Sequence, residues 1–262
     1  YSKQIKDEKL RVEVLEELMP SNLAEDWDNV GLMVGRKGKT VKRILLALDL
    51  SKEVVEQAIA QKIDLIITHH PAIFKKLKQV VDNDWQQDLL LTLMENGIAV
   101  YSAHTNLDCV STGVNDVLAK LLKLEDADIL DDSNGLGRIG VVEQMPLAAY
   151  AQLVKTALKA DYVVVGDAGK QVRKVAVCGG AGSDLIDLAL AKGADTLVTG
   201  DVKYHSAQQA VYSGLNIIDA GHQPTELPVL DKLADRLSMR LVEREMDVVV
   251  NVARETLLLR HM

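Results

Sequence analysis

Short, nearly unbroken apolar runs alternate with amphipathic stretches along this chain. The runs at 44–48, 65–67, 175–177 and 197–198 lack the apolar/polar alternation of a half-exposed strand. They read as parallel strands buried on both faces. Between them, Val54, Val55, Ala58 and Ile59, and again Leu185, Ile186, Ala189 and Leu190, recur at i, i+1, i+4 and i+5. Such a one-sided apolar stripe predicts a helix. Further strands are expected at 98–102 and 217–218.

The order strand, helix, strand occurs twice. An offset of 131 residues lays 41–49 on 172–180 and, without a gap, 52–68 on 183–199. Identities are few (Val41/Val172, Ala58/Ala189, Ala60/Ala191, Asp64/Asp195, Thr68/Thr199), but many other pairs are conservative. Each copy runs from a basic pair through a strand, a turn and a helix to a second strand ending in Thr, which is a βαβ unit. After a further helix, each half offers a strand-like run and then His-x-x-x-acid: His104 with Asp108, and His222 with Glu226. The expectation is an α/β protein of two similar three-layer lobes produced by internal duplication, at residues 1–127 and 128–262. The boundary is set in the acid-, Asn- and Gly-rich stretch 125–137, and the C-terminal part is expected to pack back on the first lobe.

Composition narrows the partners. With 38 acidic against 30 basic side chains the net charge is −8, and only two Trp, six Tyr and one Phe are present in 262 residues. That is neither the basic footprint nor the stacking inventory of a nucleic-acid binder, so no direct nucleic-acid partner is expected. No apolar run approaches the roughly 20 residues of a membrane span. Residues 1–11 are charged and have no apolar signal core, so no signal peptide is expected there. Two Cys exclude a disulfide framework or a Cys-rich zinc ribbon. The expected location is the cytoplasm.

Candidate chemistry lies where open α/β sheets place ligands, beyond the carboxyl ends of the strands. His69-His70-Pro71 follows one predicted strand, His104 to Asp108 another and His222 to Glu226 a third. Adjacent residues on a strand point to opposite faces, so His69 and His70 share a cluster only if the chain has already left the strand. Pro71 fits such a turn. One His near a strand end is ordinarily a hydrogen-bonded structural residue, whereas three such elements together point to metal. Mixed imidazole and carboxylate donors without thiolates suit Zn, Mn, Fe, Co or Ni, and argue against Cu(I) or a closed structural zinc site. The number of candidates is sufficient for two ions bridged by a carboxylate and water.

The segments Glu25-Asp-Trp-Asp-Asn-Val-Gly-Leu-Met-Val-Gly35, Thr68-His-His-Pro71, Ala103-His-Thr-Asn-Leu-Asp108, the Gly200-Asp201 step and Gly221-His-Gln-Pro-Thr-Glu226 resemble the NIF-three-like family, named in bacteria as GTP cyclohydrolase 1 type 2 homologs. The resemblance covers nearly the whole chain. It implies a two-lobed fold with the metal centre between the lobes, a ring-shaped homohexamer, and two divalent metal ions per subunit, with Zn, Mn, Fe and Ni all open. Carried over residue by residue, the ligands are His69, His70, Asp108, His222 and Glu226. The resemblance assigns His70 and Asp108 to one metal, His69 and His222 to the other, and Glu226 to both. His104 is left outside that set, as a general acid/base or as a histidine hydrogen-bonded into its turn. The implied activity is a metal-dependent hydrolase acting on an unknown small-molecule substrate, with nucleotides and phosphoesters as candidates. The rival expectation is a non-catalytic metal-binding, metal-delivery or regulatory interaction protein.

Three features remain. Cys178-Gly-Gly-Ala-Gly-Ser-Asp184 suits either a phosphate-receiving turn or a tight turn with Ser183 or Asp184 as helix N-cap, the second being favoured. Asp28 and Asn29 suit an Asx-type turn and, by the resemblance, face substrate. Asp201, Lys203 and His205, at the offset of His69-His70, read as structural or interface residues.

Overall fold

The computed structural model describes residues 14–37, 39–260 and 262; the 1–11 segment and His261 lie outside them. Two compact units are present. Unit 1 comprises the described residues up to Val110 together with Leu230–Thr256, and unit 2 comprises Ser111–Val229 with the described part of Leu257–Met262.

Unit 1 opens with β1 (Gly31–Val34), β2 (Arg43–Ala47), α1 (Lys52–Ala60), β3 (Leu65–Thr68), α2 (Trp85–Glu95), β4 (Ala99–Ser102) and the short α3 (Thr105–Cys109). Unit 2 follows with α4 (Val114–Leu121), β5 (Glu125–Asp131), β6 (Leu136–Met145), α5 (Leu147–Ala157), β7 (Val164–Gly166) and β8 (Val172–Ala181). It continues with α6 (Ile186–Ala191), β9 (Thr196–Gly200), α7 (Tyr204–Tyr212), β10 (Asn216–Asp219) and α8 (His222–Glu226). Helix α9 (Pro228–Glu243) and strand β11 (Val249–Val252) then complete unit 1.

The two sheets carry the duplication further than the sequence does. Unit 1 has the order β1-β4-β3-β2-β11 and unit 2 the order β5-β6-β8-β9-β10-β7. In both, three parallel strands (β2, β3, β4; β8, β9, β10) end in an antiparallel edge strand, β1 against β4 and β7 against β10. The register repeats at the same offset: Ile44 pairs with Leu65, and Val175 with Thr196. The conserved acid explains part of this. Asp64 accepts hydrogen bonds from Lys42 N and Arg43 N at 2.8 and 3.0 Å. Asp195 accepts from Arg173 N and Lys174 N at 2.9 and 2.7 Å. Each carboxylate therefore clamps the entry of the first strand of its copy. What differs is the other edge, where β11 extends the unit 1 sheet in parallel while β5 and β6 extend unit 2 as an antiparallel hairpin. The stretch 125–137, at which the sequence reading sets the boundary, forms β5 and the turn into β6.

Burial follows the unbroken apolar runs. In unit 2, Val175, Val177, Val198 and Ile218 enter one core cluster while Ala176, Cys178, Leu197 and Ile217 enter another. That alternation is what a strand covered on both faces requires. In unit 1, Leu45, Ala47, Ile66 and Val100 pack with Val54, Val55 and Ala58 of α1. Ile59 departs from the expected stripe and is 39 % exposed. At 3.6 residues per turn it lies about 140° around the helix from Val54, beyond the buried face. Helix α1 starts where Ser51 Oγ accepts from Val54 N at 3.2 Å.

The glycine-rich turn of unit 2 does not start its helix by the expected cap. A 3-10 turn at Ser183–Leu185 precedes α6, and its N-cap is Gly182 without a side-chain cap bond. Three of its amides are committed to side chains. Gly179 N donates to Asn115 Oδ1 at 3.0 Å, Gly180 N to Thr225 Oγ1 at 2.9 Å and Gly182 N to Thr199 Oγ1 at 2.8 Å. Those three donors hold the turn and are not available to face an anion.

Candidate metal centre

In unit 1 the polar residues gather at the carboxyl ends of β3 and β4. Strand β3 stops at Thr68, and His69 and His70 lie beyond it. Both stay in line with β2: His69 N donates to Ala47 O at 3.1 Å and His70 N to Leu48 O at 2.9 Å. The rings nevertheless fall on one side, with centroids 5.0 Å apart. Thr68 Oγ1 shapes this bend by donating to His70 O at 2.8 Å. Beyond β4, His104 is the N-cap of α3, and its carbonyl accepts from Leu107 N and Asp108 N at 2.8 and 3.1 Å. Its ring lies 5.3 Å from that of His69 and 5.7 Å from that of His70. Ligand atoms of His69, His70 and His104 all lie within 4.8 Å of one another. Asp108, one turn along α3, brings Oδ1 to 3.5 Å from His69 Nε2. Asp108 therefore lies beside His69.

In unit 2 the corresponding element follows β10. Gly221, at φ 87°, turns the chain into α8, whose first and last residues are His222 and Glu226. His222 Nε2 lies 3.3 Å from Glu226 Oε2. The carboxylate is buried and the imidazole is partly open to solvent. His205, on α7, packs edge-on against Tyr204 with ring centroids 5.3 Å apart.

A second layer orients these rings. His69 Nδ1 bonds Ala103 O at 2.9 Å, and a carbonyl oxygen can only accept, so Nδ1 carries the hydrogen and Nε2 faces Asp108. His70 Nδ1 bonds Asp49 Oδ1 at 2.8 Å, His104 Nδ1 bonds Asp28 Oδ1 at 2.9 Å and His222 Nδ1 bonds Asp201 Oδ2 at 2.7 Å. Asp28 also accepts from Thr105 N at 3.0 Å and Thr105 Oγ1 at 2.6 Å. Burial works to raise its pKa, but these bonds and His104 hold the carboxyl below its ordinary value. Burial, reinforced by His69, pushes His104 the other way, below the ordinary imidazole value, despite Asp28. Asp49 is itself held from the chain's far end, since Glu255 accepts from Leu48 N at 2.6 Å and Asp49 N at 3.1 Å.

The sequence offers Asp28 an Asx-type turn or a place facing substrate, and Asp201 a structural, interface or substrate-facing role, and it does not single out Asp49. In the structure all three are imidazole partners. The available signal was position: Asp49 follows β2 as Asp201 follows β9, each acid leaving the end of a parallel strand.

The described residues include imidazole and carboxylate groups that could hold a metal ion, His69, His70 and His104 of unit 1 among them. Nε2 of His69 and of His222 each stands 3.3–3.5 Å from a carboxylate oxygen, and both kinds of atom are donors to metal. A shared cation satisfies both. Gly180 completes the fit in unit 2. At φ +68°, a Cβ there would stand 2.4 Å from Glu226 Oε1 and 3.1 Å from His222 Nε2, so the absence of a side chain leaves the donor atoms clear. Nitrogen and oxygen donors without sulfur match Zn, Mn, Fe or Ni alike.

The architecture and the strand-end donors thus define a duplicated α/β protein with groups able to hold divalent metal. The profile of the Duf34/NIF3 (NGG1p interacting factor 3) family matches residues 9–256, and the chain belongs to that family. A relative named GTP cyclohydrolase 1 type 2 homolog, from Clostridium perfringens, is 36 % identical over 251 residues, covering 93 % of this chain and 95 % of the relative. One of the same name from Methanocaldococcus jannaschii is 36 % identical over 235 residues, covering 88 % and 94 %. Among solved structures, a Bacillus cereus protein related to NIF3 superposes with a TM-score of 0.89 at 26 % identity, covering 94 % of this chain and 96 % of that one. No helix among the described residues is long and apolar enough to cross a membrane.

Proposed function

We propose that this protein is a metal-dependent hydrolase, with His69, His70, Asp108, His222 and Glu226 as ligands to two divalent ions and His104 as the group that moves protons. The observation that carries this reading is the fixed Nδ1 of all four histidines: a carbonyl or carboxylate oxygen engages it at 2.7–2.9 Å in each case. Outer partners of that kind set the tautomer and aim Nε2 at a metal. His69 and Asp108, facing each other at 3.5 Å, belong to one ion, and His222 and Glu226, at 3.3 Å, to the other. When bound, such ions lower the pKa of water and polarise a carbonyl, phosphoryl or ring carbon under attack.

The remaining work falls to the chain. His104, its Nδ1 tied to Asp28, presents Nε2 as the acceptor or donor for a proton at the reacting atom. Burial and the neighbouring His69 favour its neutral form, the form required of a base. Asp28, Asp49 and Asp201 keep the imidazoles from rotating out of line. The protein acts in the cytoplasm as a homohexameric ring, without a nucleic-acid partner, and its substrate is a small nucleotide or phosphoester. The GTP cyclohydrolase name of the relatives supports an electrophilic ring carbon as the reacting atom without selecting GTP itself.

The test is elemental analysis of protein purified without chelator, followed by a screen of nucleotides and phosphoesters beside His70→Ala and Glu226→Ala. Two bound ions and turnover lost in both variants are expected. Turnover that survives both substitutions would sink the hydrolase reading. Tight, exchangeable metal with no turnover on any substrate would place the protein among metal-binding or metal-delivery proteins instead.

A further inference from the structure

Most of the apolar interior is aliphatic, yet Trp27 and Phe74, two of the few large aromatics, are 62 % and 51 % exposed. They meet edge to face, with ring centroids 6.2 Å apart and planes inclined by 73°. Trp27 in turn stands 6.2 Å from His104, inclined by 79°. His104 lies 5.3 Å from His69. The rings thus form one continuous path from Phe74 through Trp27 to the imidazole cluster.

That exposure is held in place. On one side of Trp27, Glu25 N donates to Thr105 Oγ1 at 2.9 Å. On the other, the Asp28 carboxylate grips Thr105 and His104, and Asn29 Nδ2 donates to Ile73 O at 2.6 Å. The last bond ties the Trp27 loop to the residue preceding Phe74. Two loops far apart in sequence are therefore fastened together at the point where they present their rings. A ring kept for packing would be buried, because an exposed indole forgoes the burial that stabilises it. The edge-to-face arrangement leaves open a ring face on which another planar ring can stack.

We propose that Trp27 and Phe74 form the recognition wall for a planar heteroaromatic ring of the small-molecule substrate, seated beside His104. This rests on the hydrolase reading only for what happens to the ring's partner group; binding of the ring does not need turnover. The wall selects substrates by their flat ring, while the imidazole and carboxylate groups act on the attached or embedded electrophile. Stacking tolerates different bases, so the wall accepts a class of rings rather than one.

The Trp85→Phe variant, changed on α2, leaves Trp27 as the sole indole. Zinc-supplemented protein carrying it is titrated with AMP, GMP and UMP, and separately with ribose 5-phosphate, which has the sugar and phosphate without the ring. Saturable quenching of Trp27 emission is expected from at least one nucleotide and not from ribose 5-phosphate. In the otherwise unchanged chain, Trp27→Leu and Phe74→Leu should each weaken that nucleotide's calorimetric Kd by about fivefold or more, with bound zinc and sedimentation mass unchanged. Quenching that does not distinguish the nucleotides from ribose 5-phosphate, or affinities unmoved in both variants, overturns the proposal. So does a Trp27→Leu variant that loses sedimentation mass while keeping its nucleotide affinity, since that assigns the rings to a contact with a second copy. Ring-dependent binding without any turnover leaves this inference standing and removes the hydrolase reading, so the two fail separately.

Discussion

Asp49 lies outside the set that the resemblance names as ligands, yet its contact bears directly on one of them. Its Oδ1 holds His70 Nδ1 at 2.8 Å, and its own backbone is fixed through Glu255. Burial pushes the Glu255 carboxyl above its ordinary pKa, while the two backbone donors oppose that shift. Removing such an outer partner ordinarily costs a metal site about 10–100-fold in affinity. Asp49→Ala is therefore expected to weaken divalent-metal binding by about that range, read by competition with a chromophoric chelator, while circular dichroism stays unchanged. Asp49→Asn, which retains a carbonyl acceptor, should lose less. The His-x-x-x-acid elements show how far one pattern diverges between copies. His104 caps α3 and turns to Asp28, whereas His222 is the first residue of α8 and faces Glu226 directly. A shift of one position relative to a helix start thus separates the two imidazoles' surroundings.

At the level of elements, the repeated clamp is the testable device. A single oxygen of Asp64, and likewise one of Asp195, accepts two consecutive amides at the strand entry. Each such hydrogen bond contributes about 0.5–1.5 kcal/mol net. Asp64→Ala and Asp195→Ala should each lower the unfolding free energy measured by urea titration by about 1–3 kcal/mol in total for the two bonds, with the Asn variants intermediate. The identity Asp64/Asp195 was visible in the sequence, as were the parallel strands, because buried strands write their apolar run directly into the chain. The strand-end histidines were legible for a similar reason: His-His-Pro and His-x-x-x-acid are local patterns. Strands β1 and β7 escaped because edge strands carry mixed burial and no clean period, as the largely exposed Val164 and Val165 illustrate. Asp49 escaped because its one signal, a place just after a strand, is shared with acids that merely end a strand, and its contact with a histidine 21 positions later shows only in the fold. The turn at 178–184 was read as either tight turn or phosphate site; the side-chain acceptors from 115, 199 and 225 favour the tight turn, and those are long-range contacts.

For the whole molecule, bound metal should register as stability. A ligand that binds only the folded state at about 100 times its Kd adds roughly 2.7 kcal/mol. For a chain of this size that corresponds to roughly 5–10 °C in Tm. Zinc or manganese added to chelator-stripped protein is expected to raise the melting temperature by that order, and Glu226→Ala to reduce the rise. Equal melting curves with and without metal would contradict the donor assignment.

The closure of unit 1 by β11 has a consequence for biosynthesis. Ribosomal synthesis delivers unit 2 almost as one continuous stretch, Ser111–Val229, while unit 1 needs Leu230–Thr256 to finish a sheet whose other strands emerged long before. Until then the edge of β2 is uncovered, and the amides of Leu48 and Asp49 wait for Glu255. Domains fold as their residues appear, so unit 2 matures first and the earlier-made unit completes last. The unit whose synthesis starts first is thus the second to be finished, and the acceptor that holds His70 gains its final support only once Glu255 has been made.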